Sequence, residues 1–285
     1  MWRSLLFVPI LKNRLIEGAA MRGADAIVLD LEAAVPQDRK EEARAVLSGT
    51  VSDLKTAKAD IAVRVNPLHL GGVDEIVVAI DAGADLIVLP QATNTAAKQA
   101  ADMVGAMPII PVIESPCGVI QALSIAEAAT NVAGLGLGVE DYSTEMGAPP
   151  TPELLVPAAF QVIQAARAAG CEPLVIPDTI ADYSDLTRFK AAALRARSLG
   201  ASGGFAIHPD QVGILNSVFT PSAEEIREAQ ETVALAKEAG KSGDPIATRN
   251  GKMIDAPIVA RARSVLALGQ RFEDQAKPLQ KPETI

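Results

Sequence analysis

Short apolar runs alternate along the chain with longer stretches in which apolar positions lie three and four apart. The runs are Ser4 to Ile10, Ala26 to Leu31, Ile61 to Asn66, Leu86 to Pro90, Pro108 to Glu114, Val132 to Gly138, Pro173 to Asp178 and Gly203 to Pro209. Their length and β-branched content predict strands, whereas Lys40 to Leu54, Thr95 to Val104 and Pro152 to Ala169 carry helical spacing. The segments Arg22-Gly23-Ala24-Asp25, Ala82-Gly83-Ala84-Asp85 and Leu199-Gly200-Ala201-Ser202 place a glycine where a helix ends and the next strand begins. Such alternation implies parallel βα units. Periodicity alone does not separate an open doubly wound sheet from a closed barrel, but a count of eight favours closure. We therefore expect a (β/α)8 TIM barrel over residues 1–240, with residues 241–285 forming a C-terminal helical lid. The helix before that tail is predicted from Pro221 to Ala239, and the loop Gly240 to Pro245 follows it.

Composition sharpens this picture. Hydrophobic residues make up 49% of the chain and aromatics only 3%, so Ala, Val, Ile and Leu must fill the core, as suits parallel strands covered by helices. A net charge of −9, without clustered Lys and Arg, argues against nucleic acid as a partner. The apolar start Leu5-Leu6-Phe7-Val8 is cut by Pro9 and followed by Lys12 and Arg14, which reads as a first strand rather than a signal peptide. No apolar run approaches the ~20 residues that cross a bilayer, so no membrane association is expected. Cys117 and Cys171 are too few and too separate for a disulfide framework or zinc site, and a cytoplasmic location is the default expectation. The run Gly134 to Gly138 lacks the spacing of a dinucleotide fingerprint and reads as close backbone packing.

In a barrel of this kind the working residues project from the C-terminal ends of the strands. Polar residues interrupt the apolar runs there at Asp30 and Glu32, Arg64, Glu114, and Glu140 with Asp141. Two carboxylates from neighbouring strands, without paired Cys or His, supply hard oxygen ligands and favour magnesium over zinc. Each position also has a structural reading. Glu114 and Asp141 could cap the following helices, and Arg64 could form an ion pair with Asp30 or Glu32 as readily as bind a substrate carboxylate. His208 reads as a hydrogen-bonded rim residue rather than a base, and His69 as a loop residue.

These residues carry a resemblance to the HpcH/HpaI aldolase and citrate lyase β-subunit family, most closely to its CoA-ester lyases of the malyl-CoA and citramalyl-CoA type. Its parts are Arg3 to Pro9, Ala24 to Glu32, Val63-Arg64-Val65-Asn66, Ile113 to Gly118, Gly138-Val139-Glu140-Asp141 and Ala206 to Gln211. The chain departs from the family pattern at Ile10, Ala33 and Gly204. The resemblance implies a homotrimer or homohexamer with Mg2+ held by Glu114 and Asp141, which together with Arg64 and Glu140 would bind the substrate. Arg64 would then bind the carboxylate of a 2-keto acid or its hydroxyacyl-CoA, and Glu32 would orient a water at the metal. Lys12 and Arg14 would meet the phosphates of CoA, whereas without the resemblance they read as part of a solvated loop. In Gly251 to Pro257 the resemblance places a mobile segment whose Asp255 acts as acid/base in a neighbouring subunit's site. Without the resemblance, Asp255 reads as the N-cap of the helix that follows. The implied activity is reversible, Mg2+-dependent cleavage of a 3-hydroxy-3-carboxyacyl-CoA into a 2-keto acid and an acyl-CoA thioester. The alternatives are a hydroxyacyl-CoA thioesterase or synthase, a CoA-independent aldolase, and a citrate lyase β subunit that needs its complex.

Overall fold

The structure, a computed structural model, describes residues 1–241, 246–249 and 251–276. The chain divides into two compact units, Met1–Phe219 and Thr220–Ile285. In the first, strands and helices follow in the order β1 (Ser4–Pro9), α1 (Asn13–Ala19), β2 (Ala26–Asp30), α2 (Lys40–Leu54), β3 (Asp60–Arg64), α3 (Gly72–Asp81), β4 (Leu86–Leu89), α4 (Asn94–Val104) and β5 (Ile109–Ile113). They continue with α5 (Pro116–Ile120), α6 (Ala122–Ala126), β6 (Gly134–Leu137), α7 (Val139–Met146), α8 (Pro152–Ala169), β7 (Glu172–Leu174), α9 (Leu186–Leu199), β8 (Gly204–Ala206) and α10 (Pro209–Phe219). All eight predicted strands are present, each within a few residues of its expected bounds, and Lys40–Leu54 and Pro152–Ala169 are helical as predicted.

The eight strands pair in parallel in the order β7-β6-β5-β4-β3-β2-β1-β8. A single parallel bridge between Leu174 and Gly203 joins the ends of that order, so the sheet closes on itself as a (β/α)8 barrel. The helix-to-strand turns use the expected glycines, Gly83 (φ 76°) and Gly200 (φ 106°) among them, in a backbone region that side chains rarely adopt.

Strand alternation sorts the core into two layers. One set, including Leu5, Ala26, Val28, Ala62, Leu86, Val88, Ile110, Val112, Leu174 and Phe205, fills the inside of the barrel. Residues of opposite parity, such as Leu6, Ile27, Leu29, Ile61, Val63 and Ile87, pack outward with the apolar faces of the helices. The inner columns of β2 (Ala26, Val28), β3 (Ala62) and β5 (Ile110, Val112) lead in steps of two to Asp30, Arg64 and Glu114.

The second unit pairs α11 (Ala223–Lys241) with α12 (Ala256–Ala276), joined through the antiparallel hairpin β9 (Ala247–Arg249) and β10 (Lys252–Ile254). A side chain at Gly269 would press on Ile226 Cδ1 at 3.0 Å, so the glycine lets α12 approach α11 closely. Of the loop expected from Gly240 to Pro245, residues 242–245 lie outside the described residues, as do Asn250 and the last nine positions. Two elements went unread in the sequence. Helix α10 starts at a proline straight after the eighth apolar run, and the β9–β10 hairpin has strands of only three residues.

The Gly134 to Gly138 run does serve close packing. A Cβ at Gly136 would sit 2.8 Å from the ring of Phe205, which occupies the barrel interior and stacks on Phe7 at 5.1 Å. Gly136→Ala is therefore expected to cost about 1–3 kcal/mol in urea unfolding, and Phe205→Leu in the same chain to recover part of that loss.

Candidate functional site

The C-terminal ends of the strands surround a cavity of about 420 Å³. Asp30, Arg64, Glu114, Glu140 and Asp141 line one part of it, and Phe7, Val112, Leu174, Ile176, Phe205 and Ile207 make much of the apolar remainder. Four strand ends thus bring together the polar positions that interrupted the apolar runs.

Arg64 stands at the centre of this arrangement. Its Nε and one terminal nitrogen donate to the two Asp30 oxygens at 2.8 and 2.7 Å, a bidentate pair. The other terminal nitrogen lies 3.0 Å from Glu32 Oε2. The guanidinium plane also rests 4.4 Å over the Phe7 ring, where its positive charge meets the ring's negative face. The ion pair that the sequence left open is present, and the same arginine faces the cavity. Asp30 does more than pair, since its oxygens also accept from the backbone N–H groups of Glu32 (2.9 Å) and Ala34 (3.1 Å). It thereby folds the turn that carries Glu32.

Glu114 is buried at the end of β5. The following helix is capped by Ser115, whose hydroxyl accepts from Gly118 N–H at 2.9 Å, so Glu114 is free of that duty. One of its oxygens accepts from the Gln91 backbone N–H at 3.0 Å. Gln91 adopts φ 45°, the sole positive φ of a residue other than glycine among the described residues. This strained backbone aims its N–H at a carboxylate, a donor that no residue type in the sequence announces. On the opposite side Gly138 makes room, because a Cβ there would fall 2.6 Å from Glu114 Cγ. Burial pushes the Glu114 carboxyl up to about 8, and the neighbouring charges of Glu32 and Asp141 add to the rise. Burial raises Glu32 as well, while Arg64 opposes that shift.

Asp141 is exposed in the first turn of α7, with Gly138 rather than Asp141 at the N-cap. Its neighbour Glu140 accepts from the Thr179 hydroxyl. Among the described residues no group of three or more His, Cys, Asp or Glu converges as a metal cage. Lys12 and Arg14 are exposed at the start of α1. His208 is a rim residue: its Nδ1 accepts from the Asp210 N–H at 3.3 Å and its ring stacks on Tyr183. In the second unit, Asp255 precedes α12 and its carboxylate accepts from the Ile258 N–H at 3.3 Å, the hydrogen bond of an N-cap.

Glu114 yields a pH prediction. In an unfolded chain its carboxyl ionises near the ordinary 4.5, whereas in the folded chain it holds its proton to about 8. The unfolded state therefore loses the proton first, and this residue's contribution to stability falls as pH rises from 4.5 to 8, then levels off. Glu114→Gln should raise the thermal midpoint of chelator-treated protein at pH 8.5 and leave it nearly unchanged at pH 4 (roughly the two ends of that window).

The HpcH/HpaI aldolase/citrate lyase family model matches residues 3–209, the stretch that contains all eight strands. The citrate lyase subunit beta of Escherichia coli (strain K12) is 32% identical over 284 residues, covering 93% of this chain and 92% of the relative. The (3S)-malyl-CoA thioesterase of Cereibacter sphaeroides (strain ATCC 17029) is 33% identical over 271 residues, covering 93% and 94%. Among solved structures, CitE from Mycobacterium tuberculosis in complex with magnesium, acetoacetate and coenzyme A shares the fold at a TM-score of 0.74 and 23% identity, covering 94% of this chain and 97% of that one. The chain thus belongs to the HpcH/HpaI aldolase/citrate lyase family.

Proposed function

We propose that this protein is a Mg2+-dependent carbon–carbon lyase acting on a 3-hydroxy-3-carboxyacyl-CoA, and that it releases a 2-keto acid and an acyl-CoA reversibly. The observation that carries the reading is the meeting of Arg64, Glu114 and Asp141 around one cavity at the C-terminal mouth of the barrel. Glu114 is a buried carboxyl crowded by like charges, and with Asp141 it offers hard oxygen donors from adjacent strand ends. That donor set fits magnesium, which accepts one or two carboxylates and leaves its other positions to water and substrate. Bound there, Mg2+ would supply Lewis-acid polarisation of the substrate's carboxylate and hydroxyl oxygens.

The chain's own residues have separable tasks. Arg64, fixed by Asp30 and Glu32, presents positive charge to the substrate carboxylate with little reorganisation. Glu32 orients a water through which the hydroxyl proton passes to its own carboxylate. The bond between the hydroxyl-bearing carbon and the thioester α-carbon then breaks, and its electron pair passes to the thioester enolate. Asp255 of a neighbouring copy in a homotrimer or homohexamer gives the enolate carbon its proton, and in condensation takes it back. Lys12 and Arg14 supply exposed positive charge for the phosphates of CoA.

The relatives named as (3S)-malyl-CoA thioesterases support a second reading, in which the same pocket directs water at the thioester carbonyl. Products separate the two. Incubating the protein and Mg2+ with malyl-CoA, citramalyl-CoA and β-methylmalyl-CoA should yield a keto acid together with acyl-CoA, and chelator should stop the reaction. Free CoA beside an intact hydroxy acid would assign hydrolysis instead. In the same assay Arg64→Lys should lose on the order of 10²-fold or more in turnover, because lysine cannot reproduce the planar bidentate donor.

Asp255 is tested by mixing. Loss of an N-cap alone costs roughly 1 kcal/mol and little rate, whereas loss of the acid/base costs ~10²–10⁴ in rate at nearly unchanged stability. Inactive Asp255→Ala and inactive Glu114→Ala proteins, under conditions of proven subunit exchange, should together regain partial activity. Exchange without recovery would remove Asp255 from the shared site.

A further inference from the structure

Beneath the turn that carries Glu32 lies a second polar layer, buried and separate from the cavity lining. Lys40 opens α2 and is only 9% exposed. Its ammonium donates to two backbone carbonyls, those of Leu31 and Glu32, each at 2.7 Å. The Leu31 carbonyl accepts a second hydrogen bond from Asn66 Nδ2 at 3.0 Å. Asn66 is in turn gripped by Glu75, a fully buried carboxylate on α3, which accepts from the Asn66 backbone N–H at 2.6 Å and from Nδ2 at 2.7 Å. Arg44 of α2 reaches Glu75 at 3.3 Å and ties the layer together.

The location of Lys40 is costly. A cation at the first residue of a helix opposes the helix dipole, and burial disfavours its charged form. Helix stability therefore does not account for the ammonium, whereas its two acceptors do. They are the carbonyls of the two peptides on either side of the Glu32 α-carbon. The turn is held from both sides: Asp30 takes the N–H groups of Glu32 and Ala34 on the barrel side, and Lys40 with Asn66 takes the carbonyls of Leu31 and Glu32 on the outer side.

We propose that Lys40, backed by Asn66 and Glu75, is a positioning residue that fixes the backbone of the 31–34 turn and thereby sets the Glu32 carboxylate against Arg64. The inference rests on the catalytic task assigned to Glu32 above. Lys40 touches no reacting atom. It acts through the direction in which Glu32 leaves the backbone.

The test uses Lys40→Gln, which shortens the donor and removes its charge, and Lys40→Arg, which keeps a cation able to serve two carbonyls. In the full-length enzyme, Lys40→Gln should lower kcat by roughly 10-fold or more, the scale of a misplaced catalytic group, while KM for the thioester changes little. Lys40→Arg should recover much of the loss. In a Glu32→Gln background, Lys40→Gln should add almost nothing, since residues acting as one unit are not additive. A multiplicative loss in that background, or equal losses in kcat and thermal stability that Arg does not rescue, would overturn the proposal. A crystal structure of Lys40→Gln supplies a readout independent of turnover. Loss of the 3.0 Å contact between Glu32 and Arg64 is expected, and its retention would also overturn the inference. Should Lys40→Gln not fold, Asn66→Ser removes one of the two donors to Leu31 and is read in the same way. If the parent enzyme cleaved none of the thioesters while the contact was still lost in the variant, the lyase reading would fail and the positioning role would stand.

Discussion

The charge on Arg64 organises the site. A guanidinium that ends an inner column of the barrel sits where water is scarce, and it persists only with partners that offset its desolvation. Asp30 supplies both oxygens, Glu32 a third, and the face of Phe7 covers what remains. Because Asp30 also accepts from the backbone of the turn beyond β2, the ion pair fixes loop as well as strand. Glu32 follows from that turn, and the opening to the cavity follows from where the arginine is held. The apolar stacking of Phe7 on Phe205 then carries the same arrangement across to β8.

Glu114 presents the opposite electrostatic problem. It has a negative charge to accommodate among Glu32 and Asp141, with one backbone N–H and the more distant Arg64 as relief. An acidic group kept under such pressure is suited to a ligand that brings positive charge, and its unfavourable ionisation in the free protein is the counterpart of that suitability. The site thus combines a satisfied cation at the end of β3 with a carboxyl at the end of β5 whose ionisation is disfavoured, the inner column of β4 lying between them.

The barrel was legible because its two periods are plain in the chain: alternation in the strands, and three-and-four spacing in the helices between them. Asp30, Arg64 and Glu114 were legible for a related reason, as polar residues in apolar runs whose parity faces them inward. What the sequence hid was whatever depends on backbone shape or long-range partners. Gln91 is an unremarkable residue type for a left-handed backbone, and its contribution is a peptide N–H. Lys40 and Glu75 look like ordinary surface polar residues of amphipathic segments, and Asn66 like the polar end of a strand. Only the closure of β2 and β3 side by side buries them against each other. Helix α10 was concealed by the proline at its first turn, which marks a helix start as readily as a loop.

The barrel's seam has a mechanical consequence. Every neighbouring pair of strands from β8 through β1 to β7 is joined by a ladder of at least two partners, whereas β7 and the start of β8 meet at the single Leu174–Gly203 bridge, with the Ser202 N–H donating to the Pro173 carbonyl beside it. The two flanks of that seam are also cavity walls, with Leu174 and Ile176 on one side and Phe205 and Ile207 on the other. Compliance is therefore concentrated on one side of the cylinder, opposite the rigid ionic corner of Asp30 and Arg64.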